Sequence, residues 1–126
     1  MKTKITVLSI GLLVTILCSF TQTDFTKTLV GKWELKTIET PGKPPMDTKP
    51  VLGESFIQFN IDFTYEEESG GRKSNGIWKI TDNKYLQTKT EKQADFTEKV
   101  ALKEIVPDKI EMQLVSKTKM VYQLVK

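Results

Sequence analysis

The chain has 126 residues, which is enough for one compact domain with a single core. It carries 19 basic and 16 acidic residues, a net charge of +3, and the two signs are interspersed, so we expect no nucleic-acid partner. It contains no histidine, and Cys18 is its only cysteine. This composition disfavours both a soft-metal site and a nucleophile with its base, and we expect no enzymatic activity, metal or cofactor.

Residues 1–23 have the pattern of an export signal. A basic start precedes residues 5–17, an uncharged run of 13 residues, which is shorter than the roughly 20 apolar residues of a membrane-spanning helix. Cleavage before Gln22 competes with lipid attachment at Cys18, and we favour cleavage because the residue before Cys18 is not small. We therefore expect an exported protein in the periplasm, at the outer-membrane surface or outside the cell. Residues 24–126 then form its one domain, without a transmembrane segment.

The predicted elements begin with one helical turn at the start of this domain, with Asp24 as its N-cap. Beyond it, apolar residues recur at every second position, which predicts half-buried strands. Residues 41–54 contain four prolines and two glycines, so we expect neither helix nor ladder strand there but a loop over the open end of a barrel. The predicted strands cover residues 30–37, 55–60, 63–68, 76–80, 85–90, 96–106, 110–114 and 120–124.

Short turns connect most of these strands. Asn60 and Asp62 indicate a tight turn, although residues 57–65 also alternate as one continuous strand, so two registers are open there. Residues 69–75 read as a loop in which two glycines reverse the chain. Eight strands joined mainly by short turns favour nearest-neighbour antiparallel pairing. We therefore predict an all-β domain that closes into a single up-and-down barrel, because closure removes exposed strand edges.

Three polar clusters have both a chemical and a structural interpretation. The glutamates at 66–68 are suited to a hard cation, but a charge run beside two glycines is typical of a solvated hairpin tip. Glu98 and Glu104 share the alternation of their apolar neighbours, and we expect them to reach the rim and water. Residues 70–74 lack the spacing of a phosphate-binding loop and the helix that follows one.

The motif Gly31-Lys32-Trp33 resembles the Gly-x-Trp that opens the first strand of lipocalins. Residues 59–65 and 76–80 are similar to the corresponding stretches of short bacterial lipocalin-like domains, members of the lipocalin or calycin type of β-barrel. The resemblance covers residues 29–126. It implies an antiparallel barrel of about eight strands that binds a small hydrophobic molecule in its mouth, with Gly31 and Trp33 as structural residues at the closed end.

The predicted binding site lies at the rim that carries the first long loop. Because antiparallel strands alternate in direction, the ends of odd-numbered and the starts of even-numbered predicted strands share this rim. We expect inward aromatic, leucine and methionine side chains there to contact an apolar ligand: Leu35, Tyr65, Trp78, Met112 and Met120. The alternative is a barrel filled by its own side chains, which serves as a structural or protein-interaction module of the cell envelope.

Overall fold

The computed structural model describes residues 24–126, so the predicted export signal and Cys18 lie outside the described part of the chain. Helix α1 (Phe25–Thr28) is the predicted helical turn, and Asp24 is its N-cap. The Asp24 carboxylate accepts a hydrogen bond of 3.1 Å from the backbone N–H of Thr26. Within residues 24–126 no helix is long and apolar enough to cross a membrane.

The rest of the described chain is a closed β-barrel. Strands that are neighbours in the sheet pair antiparallel, and the first and last strands, β1 (Gly31–Glu39) and β9 (Lys119–Leu124), also pair with each other. Eight strands therefore form the barrel, and the short β2 (Met46–Asp47) is an extra strand on the edge of β1. This confirms the predicted all-β, antiparallel up-and-down barrel. The elements are β1 (Gly31–Glu39), β2 (Met46–Asp47), α2 (Lys49–Leu52), β3 (Ser55–Phe59), β4 (Thr64–Ser69), β5 (Arg72–Thr81), β6 (Tyr85–Thr90), β7 (Val100–Val106), β8 (Lys109–Gln113) and β9 (Lys119–Leu124).

The core fills the barrel from one end, which we call the helix end because α1 precedes β1 there, and it extends along the interior to Tyr65 and Met112. Trp33 is fully buried, and its indole N–H donates a hydrogen bond of 2.9 Å to the carbonyl of Leu29, just after α1. Trp78 is also buried, and its ring meets Phe59 edge to face at 5.4 Å between centroids. The buried core residues are Phe25, Leu29, Trp33, Ile57, Phe59, Tyr65, Trp78, Leu86, Leu102, Ile110 and Met112.

The predicted irregular segment, residues 41–54, contains the short strand β2 and the one-turn helix α2. Pro50 is tolerated because it lies in the first turn of α2, where a missing N–H breaks no helical hydrogen bond. Thr48 fixes the segment to β1: it is fully buried, and its hydroxyl donates to the carbonyl of Leu35 at 2.8 Å. The expectation that helix and ladder strand are absent there is therefore wrong.

The structure corrects the prediction at the β4–β5 turn and decides between the two registers at the β3–β4 turn. The predicted loop over residues 69–75 is only the reversal at Gly70 and Gly71, whose φ values of 57° and 82° suit a tight hairpin. Strand β5 therefore begins at Arg72, four residues earlier than predicted. Between β3 and β4 the chain turns at residues 60–63, so the alternative of one continuous strand is wrong.

Candidate functional site

The barrel end opposite α1 carries the β4–β5 and β8–β9 turns, and we call its interior the mouth. Strand β4 places three side chains on its inner face, and Ser69 at its end forms a hydrogen bond of 2.9 Å with the buried Ser55. Tyr65 is 3% exposed and belongs to the core, and Glu67 follows two positions later on the same face. The pairing agrees, because Glu67 lies directly opposite the buried Ile57 of β3. Glu67 therefore faces the barrel interior.

Tyr65 extends from β4 across β5 to β6. Its direct partner on β5 is Gly76, where a Cβ atom would lie 2.9 Å from Cε1 of the Tyr65 ring. The missing side chain thus leaves room for the ring to lie over the β5 backbone. The Tyr65 phenol forms a hydrogen bond with the side chain of Thr88 on β6. Burial raises the pKa of the Tyr65 phenol, the Thr88 hydrogen bond partly opposes this shift, and the nearby Glu67 charge raises the pKa further.

Tyr122 reaches the same interior from β9. It pairs with Leu35 of β1 on one side and with Ile110 of β8 on the other, which is fully buried. Its hydroxyl lies 3.9 Å from the sulfur of Met120. Burial raises the pKa of Tyr122 strongly, and the Glu67 carboxylate adds to this shift. Since one carboxylate acts on both phenols, Glu67 lies near Tyr65 and Tyr122 within the mouth.

Glu67 combines access to water with partial burial by the surrounding protein. Its side chain is accessible to water, yet partial burial raises the pKa of its carboxyl. A group that water reaches but the protein surrounds lies in a concavity, here the mouth of the barrel. Among residues 24–126 no lysine or arginine forms an ion pair with Glu67. We call Tyr65, Glu67, Thr88, Met120 and Tyr122 the mouth cluster.

An open cleft joins the mouth cluster from the side. Strands β6 and β7 pair through only two residue pairs and then separate. Thr97 bridges the gap: its N–H donates to the carbonyl of Thr88 at 2.9 Å, and its hydroxyl accepts from the Thr88 N–H at 3.1 Å. The cleft measures about 510 Å³. Its lining residues are Thr88, Thr97, Glu98, Lys99, Val100, Leu114, Val115 and Ser116.

Four of the five predicted ligand-binding residues lie in or beside the mouth cluster. Tyr65 and Met120 belong to the cluster. Leu35 is the cross-strand partner of Tyr122, and Met112 is the cross-strand partner of Met120. The fifth, Trp78, lies toward the helix end instead. Because β5 begins at Arg72, Trp78 is its seventh residue rather than a residue near its start. Its indole N–H donates to the carbonyl of Thr64 at 3.0 Å, within the core.

The two predicted structural residues lie at the helix end. Gly31 has a φ of 139°, a conformation that side chains disfavour, and it leads directly into β1. Trp33 is fully buried two positions later.

Sequence reasoning missed Glu67, Thr88 and Tyr122. The run of three glutamates was interpreted as a solvated hairpin tip, and all three side chains are indeed exposed to water. Only Glu67 shares the inner face of β4 with Tyr65, and the alternation of the strand is the signal that distinguishes it. Of the two glutamates weighed as inward candidates, Glu98 is exposed and Glu104 is half-buried at the helix end.

The apolar side chains of the predicted lid face water. The apolar side chains of Met46, Val51 and Leu52 are all exposed, at 38%, 64% and 40%. The segment is held at the edge of β1 by Thr48, and the carbonyl of Leu52 lies beside Gly70 in the β4–β5 turn. Among residues 24–126, no group of three or more acidic, histidine or cysteine side chains is placed to hold a metal ion.

Comparisons with known proteins support the fold. No protein-family model and no curated protein sequence matches this chain. A crystal structure of an uncharacterized protein from Bacteroides eggerthii is similar with a TM-score of 0.59 at 14% identity, over 77% of this chain and 99% of that one. An NMR structure of a protein from Burkholderia xenovorans has a TM-score of 0.58 at 11% identity, over 81% and 87%. At such identities the likeness defines a class of fold, the small closed antiparallel barrel, and nothing finer.

Proposed function

We propose that this protein is an exported, lipocalin-like binding protein that holds a small, largely apolar molecule in the mouth of its barrel. We further propose that the ligand carries a cationic or hydrogen-bond-donating head. The observation that carries the proposal is Glu67, a water-accessible carboxylate that faces the barrel interior opposite the buried Ile57 and whose charge raises the pKa of both Tyr65 and Tyr122. Partial burial raises the pKa of its carboxyl, and a barrel that only filled its own core would need no charged group on this face.

The packing below the mouth limits the size of the ligand. Trp33, Phe59 and Trp78 fill the helix-end part of the barrel, so a ligand would occupy only the upper part. The side cleft of about 510 Å³ adds space within the usual range of small-molecule sites. Leu35, Met112 and Met120 would contact the apolar part of the ligand, while Glu67 and the two phenols would contact its head.

The lipocalin-like and exported parts of the proposal have separate support. The Gly-x-Trp at Gly31 and Trp33 opens the first strand of a closed eight-strand barrel, as the resemblance implies. The basic start and the apolar run at residues 5–17 are typical of an export signal. We also propose a binding rather than a catalytic role, because the mouth cluster provides hydrogen-bonding and charged groups but no paired nucleophile and base.

The test compares three probes of equal chain length, namely octylammonium, octanol and octanoate, titrated at neutral pH by calorimetry. We expect octylammonium to bind best and octanoate worst, because only the ammonium group pairs with an ionised Glu67. Glu67→Gln should remove the preference for octylammonium and leave the binding of octanol largely unchanged. Glu66→Gln is the matched control, since Glu66 is the preceding residue of β4 and lies on its outer face.

Acid pH supplies an independent check. Because burial raises the pKa of Glu67, its charge should be lost at a higher pH than that of an ordinary glutamate. The preference for octylammonium should decline over the same interval as pH falls. Absence of saturable binding by all three probes would contradict the proposal and favour the alternative, a filled barrel that serves as a structural or interaction module. If Glu66→Gln and Glu67→Gln reduced the preference for octylammonium equally, the binding site would not lie in the mouth.

A further inference from the structure

The wall of the barrel is incomplete between β6 and β7, at the mouth end. The pairing of these two strands ends at Leu86 and Val100, after two residue pairs. Within residues 24–126, every other neighbouring pair of barrel strands is joined over at least four residue pairs. The side cleft of about 510 Å³ opens at this gap.

Thr97 keeps this gap from closing. In the register of the last residue pair, Thr88 would face Glu98, but its N–H and its carbonyl both bond to Thr97 instead. The carbonyl of Thr97 in turn accepts a hydrogen bond of 2.9 Å from the side chain of Gln87. The backbone N–H, the hydroxyl and the carbonyl of Thr97 are therefore all bonded to β6. Because the chain leaves the ladder at this fixed point, the cleft is a built part of the fold.

Most of the surface that lines the cleft is apolar. Val100 packs against the core, Leu114 is half-buried, and Val115 is 66% exposed in the β8–β9 turn. The lysine of the lining, Lys99, lies 4.0 Å from the Asp82 carboxylate and so already has a partner of opposite charge. The cleft is therefore suited to contact with a hydrocarbon segment, which gains free energy by leaving water.

The cleft is continuous with the mouth cluster. Thr88 belongs to both, because it lines the cleft and its side chain bonds to the Tyr65 phenol. The Glu67 charge acts on that same phenol. A ligand whose head contacts Glu67 therefore has its remaining atoms near the entrance of the cleft.

The barrel axis below the mouth is closed to such a ligand. Met112, Leu102 and Ile110 are only 3%, 8% and 0% exposed, and beyond them Trp33 and Trp78 fill the interior. A core packed in this way leaves no room for a further chain of atoms. A hydrocarbon chain that starts at Glu67 has to leave the axis, and the cleft provides the space.

We propose that the ligand is a linear alkylammonium ion, whose head lies at Glu67 and whose single chain leaves the barrel sideways between β6 and β7. This inference rests on the proposed function, because it takes the head site at Glu67 as given and adds the shape and direction of the ligand. An alkyl chain is suited to the cleft because it has no polar groups that compete for the hydrogen bonds of Thr97. The chain also covers Val115, whose apolar side chain is otherwise in water.

The first test locates the end of the chain by NMR on the full protein. The probe is decylammonium with a nitroxide on its terminal carbon, and the same compound reduced to the diamagnetic hydroxylamine is the reference. We expect the nitroxide to broaden the backbone amide signals of Val100, Leu114 and Val115 most strongly. Strongest broadening at Trp33 would place the chain along the barrel axis, and strongest broadening at Val51 would place it over another part of the rim. Either result would overturn the proposal.

The second test measures the affinities of butyl-, hexyl-, octyl- and decylammonium by calorimetry. The Kd should fall about fourfold for each methylene that enters the cleft. Val115→Asn should weaken the binding of decylammonium by about fourfold, the contribution of one buried methylene, and leave that of butylammonium unchanged. Val51→Asn is the matched control and should alter neither, because Val51 is 64% exposed in α2, on another part of the rim. Both valines are exposed, so both variants should melt as wild type does.

The outcomes separate this inference from the proposed function. If octylammonium binds through Glu67 but affinity does not rise with chain length, the inference fails and the proposed function stands. The same holds if Val51→Asn and Val115→Asn weaken decylammonium binding equally. If none of the alkylammonium probes binds saturably, the proposed function fails and the inference fails with it.

Discussion

Among the glycines of residues 24–126, Gly76 has the least room for a side chain. A Cβ atom there would lie 2.1 Å from the carbonyl oxygen of Lys89 on β6 and 2.9 Å from the Tyr65 ring. Real contacts of this kind are longer than 3.0 Å, so Gly76→Ala has to move the β6 backbone by about 1 Å. Overpacking of this kind costs about 1–3 kcal/mol, and the stiffer unfolded chain offsets about 0.4–1 kcal/mol of it. We therefore expect a net loss of about 1–2 kcal/mol.

The measurement is urea denaturation followed by tryptophan fluorescence, because both tryptophans are buried in the core. For a domain of this size the loss corresponds to a decrease in melting temperature of about 5–15 °C. Ser74→Ala is the control, since Ser74 lies two residues earlier on the same face of β5. The displaced Tyr65 ring should also weaken octylammonium binding. A free energy of unfolding within about 0.3 kcal/mol of wild type would refute this account of the β5–β6 contact.

Three further predictions concern the core, the mouth and the segment between β1 and β3. Trp33→Ala should destabilise the fold by about 3–5 kcal/mol in urea denaturation, the usual range for a buried aromatic. A melting temperature within about two degrees of wild type would show that Trp33 does not support the core. Burial raises the pKa of Tyr122, so the folded state loses stability as pH rises above the ordinary tyrosine value of about 10. Denaturation midpoints between pH 8 and pH 11 should show this loss, and Tyr122→Phe should lessen it. Thr48→Val keeps the volume but removes the donor to Leu35, so it should cost about 1–2 kcal/mol, whereas Thr48→Ser should cost less.

The alternation of apolar residues predicts most strands, because it reports directly which positions face the core. Strand β6 has the predicted limits, Tyr85–Thr90. The first half of β5 does not alternate: residues 72–75 are all polar and exposed. They form a strand because they pair with β4, where Lys73 lies opposite Glu68. Because residues 72–75 are held in a strand by β4, the pattern of their own residue types does not predict it.

Contacts between distant parts of the chain also explain why the helix α2, the strand β2 and the mouth cluster were not predicted from the sequence. The helix α2 and the strand β2 depend on Thr48, whose hydroxyl bonds to a carbonyl 13 residues earlier. The mouth cluster depends on barrel closure, which brings Tyr122 of β9 near Glu67 of β4. The inward alternation of β4 is readable from the sequence. The identity of the groups facing it across the barrel follows only from the closed sheet.

The pairing of β1 with β9 has a consequence for how the domain forms. Every other pairing in the barrel joins strands that are close in the chain, whereas this one joins Trp33 to Leu124, 91 positions apart. Long-range pairing of this kind slows folding, because the intervening chain has to be ordered first. Until β9 arrives, β1 has an unpaired edge that another copy of the chain is able to join. The last strand therefore controls both the rate of folding and the susceptibility of the unfinished barrel to aggregation.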